Sequence, residues 1–238
     1  MAPFRLRALP AVLVLAATAC TQAAPSPSPP ATPTVSATAG LSAPELASLA
    51  GRNAAARGTV TARLDAMVTG RRVTGTVSVK LDGSRCTHDL ETDDGGRMVL
   101  IQIADHYWTK GTTGRTPSGD LRLAEAYVRF TADEYPSAGF FCRSVIGQAT
   151  LARALEDPGQ LRRDGGSEGR IRLTDRHGAL VELSDTATPV PLLARSGNNS
   201  EYYELTFSTY GFPVEPVEPS PAWTVDFADL DLDGEGTA

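Results

Sequence analysis

The sequence predicts an α+β domain, with a few helices packed on one face of a large antiparallel sheet. Apolar and polar residues alternate strictly over two adjoining runs, 59–68 and 72–81, the pattern of strands with one dry and one wet face. Turn signals such as Asp82-Gly83 separate these and later runs. Strands are many and helical segments few, which places the chain in this class.

Each element has its own signature. Ser42-Ala43-Pro44-Glu45 is a capping-box pattern that opens a helix, with Leu46, Leu49 and Ala50 as its apolar stripe and Gly51 or Gly58 as its end. Val60, Ala62, Leu64, Ala66 and Val68 form the dry side of the first strand. A Gly70-Arg71 turn leads to the second, with Val73, Gly75, Val77, Val79 and Leu81. A third strand carries Cys86 to about Glu91, Met98 to Ile103 is a fourth, and Tyr107 to Thr109 a fifth. Leu121 to Phe130 and Ser144 to Leu155 read as helical or mixed, the second ending at Glu156-Asp157-Pro158-Gly159. Strands return at Arg170 to Leu173 and Ala179 to Leu183 around an Asp175–Gly178 turn, then at Tyr203 to Phe207 and Trp223 to Phe227.

The N-terminus carries the most specific signal. Arg5 and Arg7 precede an apolar run from Ala8 to Leu15, followed by Ala16-Ala17-Thr18-Ala19-Cys20. A basic start, a short apolar stretch and small residues describe a secretory signal peptide, too short to span a bilayer as a helix. A cysteine directly after the small residues resembles the lipobox of bacterial lipoproteins, although Ala17 stands where that motif more often has Leu. The resemblance implies that residues 1–19 are cleaved and that Cys20 is diacylated, anchoring the chain on the extracytoplasmic face of the cell membrane. Residues 20–40, rich in Pro, Ser, Thr and Ala, read as a tether. Stretched as polyproline II, such a segment reaches roughly 60 Å. Residues 41–230 form the single domain, and 231–238 an acidic tail.

Composition narrows function further. Net charge is −6, and all but two of the 22 basic residues (Lys80 and Lys110) are arginine. No basic stripe for nucleic acid occurs. Glu201, Glu204, Glu215, Glu218, Asp226, Asp229, Asp231, Asp233 and Glu235 follow Arg195 with no basic residue among them, the mark of a solvated acidic end. With Cys20 used by the anchor, Cys86 and Cys142 remain as an even pair in an oxidising compartment, where a disulfide is the default.

Motifs for chemistry do not survive their context. Gly165-Gly166-Ser167-Glu168-Gly169 matches the G-x-S-x-G pattern, yet a strand rather than a helix follows it, so a glycine-rich hairpin loop fits better than a nucleophile elbow. His88, His106 and His177 lack metal-ligand spacing. Asp229, Asp231, Asp233 and Gly234 open like a calcium loop, but the twelfth position, where a bidentate Glu is expected, would fall past Ala238, so an acidic tail is the better reading. Asn198-Asn199-Ser200 reads as a polar turn. No enzyme, metal or cofactor is expected.

One longer pattern remains. Thr188-Pro189-Val190-Pro191-Leu192-Leu193-Ala194-Arg195 precedes Tyr203-Glu204-Leu205-Thr206-Phe207-Ser208-Thr209-Tyr210-Gly211-Phe212-Pro213-Val214, with Pro216, Pro219 and Pro221 beyond; Val99 to Lys110 forms a hairpin with Asp105 at its turn. This order resembles the LppX/LprAFG family of LolA-like, lipid-carrying actinobacterial lipoproteins, from which the Cys86/Cys142 pair and the glycine-rich 165–169 stretch depart. The resemblance implies a curved antiparallel half-barrel, helices on its concave face, and an apolar cavity for acyl chains. Such a cavity would lie against the dry face at Val60, Leu64, Val77 and Val79, and a lipid would be the ligand. The same alternation fits a filled core equally well, so the alternative is a surface interaction or sensor lipoprotein without a ligand and with an unknown protein partner.

Overall fold

The computed structural model describes residues 38–112, 126–135, 137, 139–152, 158–167, 169–198 and 200–230. The expectations for the signal peptide, Cys20, most of the tether and the acidic tail from 231 onward lie outside these residues. The described chain is built on one curved, unclosed sheet of twelve strands with two α-helices. The strands are β1 (Thr59–Val68), β2 (Arg71–Lys80), β3 (Arg85–Thr92), β4 (Arg97–Ile103), β5 (His106–Thr112), β6 (Tyr127–Thr131), β7 (Arg162–Arg163), β8 (Arg170–Thr174), β9 (Leu180–Ser184), β10 (Pro191–Gly197), β11 (Tyr202–Tyr210) and β12 (Thr224–Asp226). Their order across the sheet is β12-β6-β5-β4-β3-β2-β1-β11-β10-β9-β8-β7. All pairings are antiparallel except β12 with β6, which is parallel.

Alternation sorts the two faces as expected. Val60, Ala62, Leu64 and Ala66 of β1 and Val73, Val77 and Val79 of β2 are buried in one continuous core. On the opposite face, arginines and carboxylates pair: Arg72 with Asp65 on β1 at 2.5 Å and Arg97 with Asp89 on β3 at 2.5 Å. Such exposed pairs add little stability, and their effect is to keep that face wet. Gly75 interrupts the dry row of β2 at φ +157, where an added Cβ would stand 2.1 Å from the Asp89 carbonyl oxygen. Strand β3 therefore passes closer to β2 at this point than a side chain would permit.

The helix α1 (Ala43–Arg57) starts where the capping box predicts. The Glu45 carboxylate accepts from the Ser42 backbone N–H at 2.8 Å. Leu46, Ala47, Ala50 and Ala54 form its buried stripe, and it ends at Gly58 in the left-handed region, φ +76. Gly51 lies inside the helix, against the end of α2 (Phe140–Ala149). A Cβ there would sit 2.2 Å from the Thr150 carbonyl oxygen, so glycine lets the two helices meet. Both helices pack on the apolar face, α1 against β1 and β10, α2 against β2, β3 and β10.

The structure departs from the sequence reading at four places. The stretch read as helical or mixed up to Phe130 ends as strand β6, because β5 and β12 supply partners on its two sides. α2 starts at Phe140 rather than Ser144 and ends at Ala149. Trp223 lies in a short 3-10 turn that the Ser220 side chain caps, and β12 follows it. Thr38, read as tether, is 1% exposed, and its hydroxyl donates to Asp185 at 2.7 Å.

Between β11 and β12 the chain crosses the wet face. Pro213, Pro216, Pro219 and Pro221 fix their own φ and hold each preceding residue extended. Glu215 of this strap pairs with Arg85 of β3 at 3.3 Å. Trp108, whose register with Ile101 and Arg129 places it on that same face, is only 3% exposed, and Val214 of the strap 6%. Neither belongs to the main core cluster, so apolar side chains are buried on the outer side as well.

Candidate functional site

Helix α2 is fastened to the sheet at two points. Cys142 is disulfide-bonded to Cys86 of β3, with Cα atoms 6.1 Å apart. Six residues on, the Gln148 side-chain amide donates to the Tyr203 hydroxyl of β11. The helix thus spans the sheet from β3 to β11, over β2 and β1, which lie between them.

Beneath its first turns is an apolar pocket of about 250 Å³. Leu64 and Ala66 of β1, Val77 of β2 and Leu205 of β11 form its floor, and Phe140, Phe141 and Val145 of α2 its roof. The floor is 0–3% exposed, whereas Phe140 is 54% and Val68 38% exposed at the rim. Thr69, Gly197 and Glu201 complete the rim, and Glu201 is the one carboxylate among the lining residues. The β1–β2 turn at this mouth uses Thr69 at φ 50 and Gly70 at φ 76, the left-handed pair that a two-residue hairpin requires.

Of the four residues placed against a cavity from sequence, Leu64 and Val77 line this pocket. Val60 and Val79 do not. They are 1% and 0% exposed within the packed core. The roof residues were missed. The available signal was the Phe140-Phe141 pair immediately before Cys142, which any bridge to β3 would carry over the sheet.

His88 stands one side chain behind the pocket wall. It shares the inward face of β3 with Cys86 and Leu90, opposite Val77 of β2. Its ring meets that of Phe141 edge-on, centroids 5.8 Å apart. It is 2% exposed, and among the described residues neither Nδ1 nor Nε2 has a hydrogen-bond partner. Burial pushes its pKa down to about 4, outweighing the pull of nearby Asp89, so the ring is neutral at neutral pH.

The remaining motif residues are dispersed. Ser167 lies in the loop between β7 and β8, flanked by Gly165 and Gly169 at φ +72 and +74, and precedes a strand. His177 sits in the β8–β9 turn beside Arg176 at 2.9 Å, and His106 opens β5. Asp229 ends a short 3-10 turn, and the rest of that acidic run is outside the described residues. Among the described residues no three His, Cys, Asp or Glu side chains are grouped to hold a metal, and no helix is long and apolar enough to cross a membrane.

Comparison with solved structures finds similarity to LprF from Mycobacterium bovis, at 14% identity and a TM-score of 0.41, over 76% of this chain and 100% of that one. An uncharacterized conserved protein from Thermus thermophilus is similar at 13% identity and a TM-score of 0.39, over 76% of this chain and 97% of the other. No protein-family model matches the sequence, and no curated protein does.

Proposed function

We propose that the chain is an exported lipoprotein, anchored through acylated Cys20, that holds a lipid-like ligand between its sheet and α2 and does no chemistry on it. The observation that carries this reading is the apolar pocket under a helix held at both ends. A carrier needs no reactive group. It needs a dry face that its helices leave partly uncovered, with an opening wide enough for an apolar chain. The family resemblance read from the sequence and the long proline-rich tether support the same reading. A volume near 250 Å³ exceeds the roughly 150 Å³ dry cavity that accepts benzene. It suits one short alkyl segment, with the remainder of a larger lipid outside the mouth.

The test is mass spectrometry of protein purified from its native membrane with the anchor removed. Lipid co-purifies with the wild type and is depleted in Val77→Trp, whose bulk fills the pocket at a stability cost of about 1–3 kcal/mol. A lipid-free wild type overturns the reading. The same volume falls below the roughly 300–1,000 Å³ of pockets that enclose drug-sized ligands. That favours, as second reading, an interaction module whose pocket takes one apolar side chain of a partner protein, with exposed Phe140 at the contact.

A further inference from the structure

We propose that His88 is the polar inner end of the pocket, and that the ligand is an apolar chain bearing a neutral hydroxyl or carbonyl that bonds its imidazole. This rests on the pocket being a ligand site, and it specifies the chemistry of that ligand.

A neutral imidazole offers one donor and one acceptor, and burying both without partners is costly. Buried polar groups in folded proteins are nearly always satisfied, so an unpaired one needs a physical reason. His88 leaves both nitrogens unpaired among the described residues. Yet leucine or phenylalanine would fill this position without that cost, since its neighbours on β2, β4 and α2 are Val77, Leu100 and Phe141.

Two of those neighbours are pocket wall. Val77 forms floor and Phe141 roof, and His88 adjoins both, opposite Val77 in the β2–β3 register and edge-on to the Phe141 ring. Phe141 is half-buried beside the exposed Phe140, and both line the pocket. Contact with the imidazole requires a change of Phe141 χ1 to open the pocket to it, a side-chain movement that leaves the disulfide-held backbone in place. The apolar surroundings exclude a charged head at this depth. A hydroxyl can serve whichever nitrogen it reaches, and a carbonyl can accept from the N–H.

The probes are 1-octanol and its near-isostere n-nonane, titrated into the exported domain while NMR follows the His88 ring nitrogens, in wild type and His88→Phe. Octanol should shift the His88 resonances and nonane should not. The ratio of octanol to nonane affinity should fall about tenfold in His88→Phe, the worth of one buried hydrogen bond. If both probes bind and His88 does not respond to octanol, the proposal is overturned while the pocket reading stands. If neither probe binds, both are overturned. The wild-type shifts decide the matter even if the variant does not fold.

Discussion

Cys142 of α2 is covalently joined to Cys86 of β3 across 56 residues of sequence, with their Cα atoms 6.1 Å apart. The bond closes a loop that contains β4, β5 and β6, so it restrains the unfolded chain over a quarter of its length while fixing the pocket roof in the folded one.

Removing the bond should therefore cost stability and loosen the roof. In the chain-entropy model a loop of this size contributes about 4 kcal/mol. The Cys86→Ala/Cys142→Ala double variant should lose that order of stability in urea titration. Hydrogen exchange should quicken in α2 before it quickens in β1 and β2. Equal protection of α2 in both proteins would show that Gln148 and the helix packing suffice.

The crossing of the two helices makes a paired prediction. Gly51→Ala gains helix propensity, but its methyl meets the backbone carbonyl of Thr150, which cannot rotate aside. Net destabilisation of about 1–3 kcal/mol is expected. Gly147→Ala, in α2 with nothing near its would-be Cβ, should stabilise by about 0.5–1 kcal/mol. Chemical-denaturation midpoints moving in the same direction for both would contradict this contact.

The buried histidine sets a pH dependence. In the unfolded chain His88 takes up its proton near pH 6.5, whereas in the folded chain its pKa lies at about 4. Between these values the unfolded state binds more protons, so stability falls as pH drops through this window, by about 3 kcal/mol in all. The carboxylates of Asp65 and Asp89, held low by Arg72 and Arg97, lose their contribution only at lower pH. His88→Leu should flatten the wild-type loss between pH 6.5 and 4 in calorimetry. An unchanged slope would place the effect elsewhere.

The anchor is testable in cells. On the proposed anchor, Cys20→Ala should release the domain into the medium, because retention would rest on the acyl chains and a single chain is already marginal. A Cys20→Ala protein that stays with the membrane through a carbonate wash would refute it.

Much of the fold was legible because it is local. The capping box at Ser42–Glu45 and the period-two rows of β1 and β2 are written within single segments. What escaped is what distant residues decide. Tyr127–Thr131 is short and carries Arg129, and only its pairing with β5 and β12 makes it a strand. Arg162-Arg163 has no strand signature at all, and β8 alone holds it in the sheet. The candidate site was half legible for the same reason. Alternation placed Leu64 and Val77 on the dry face, but Val60 and Val79 share that pattern. Which of the four a ligand could reach depends on where α2 lies, and that position is set by Cys86 and Tyr203, which are far apart in the sequence.

The order in which strands are synthesised differs from their order in the sheet. β1 emerges early, yet one of its two neighbours, β11, follows more than 130 residues later, and the outer edge of β6 waits for β12. Until those late strands arrive, an assembled β1-to-β6 ribbon exposes unpaired backbone on both flanks, each open to another chain. Pairings this remote in sequence also form slowly. The nascent domain therefore passes through an interval of vulnerability, and how well it is shielded from neighbouring chains during that interval bears on its yield separately from its final stability.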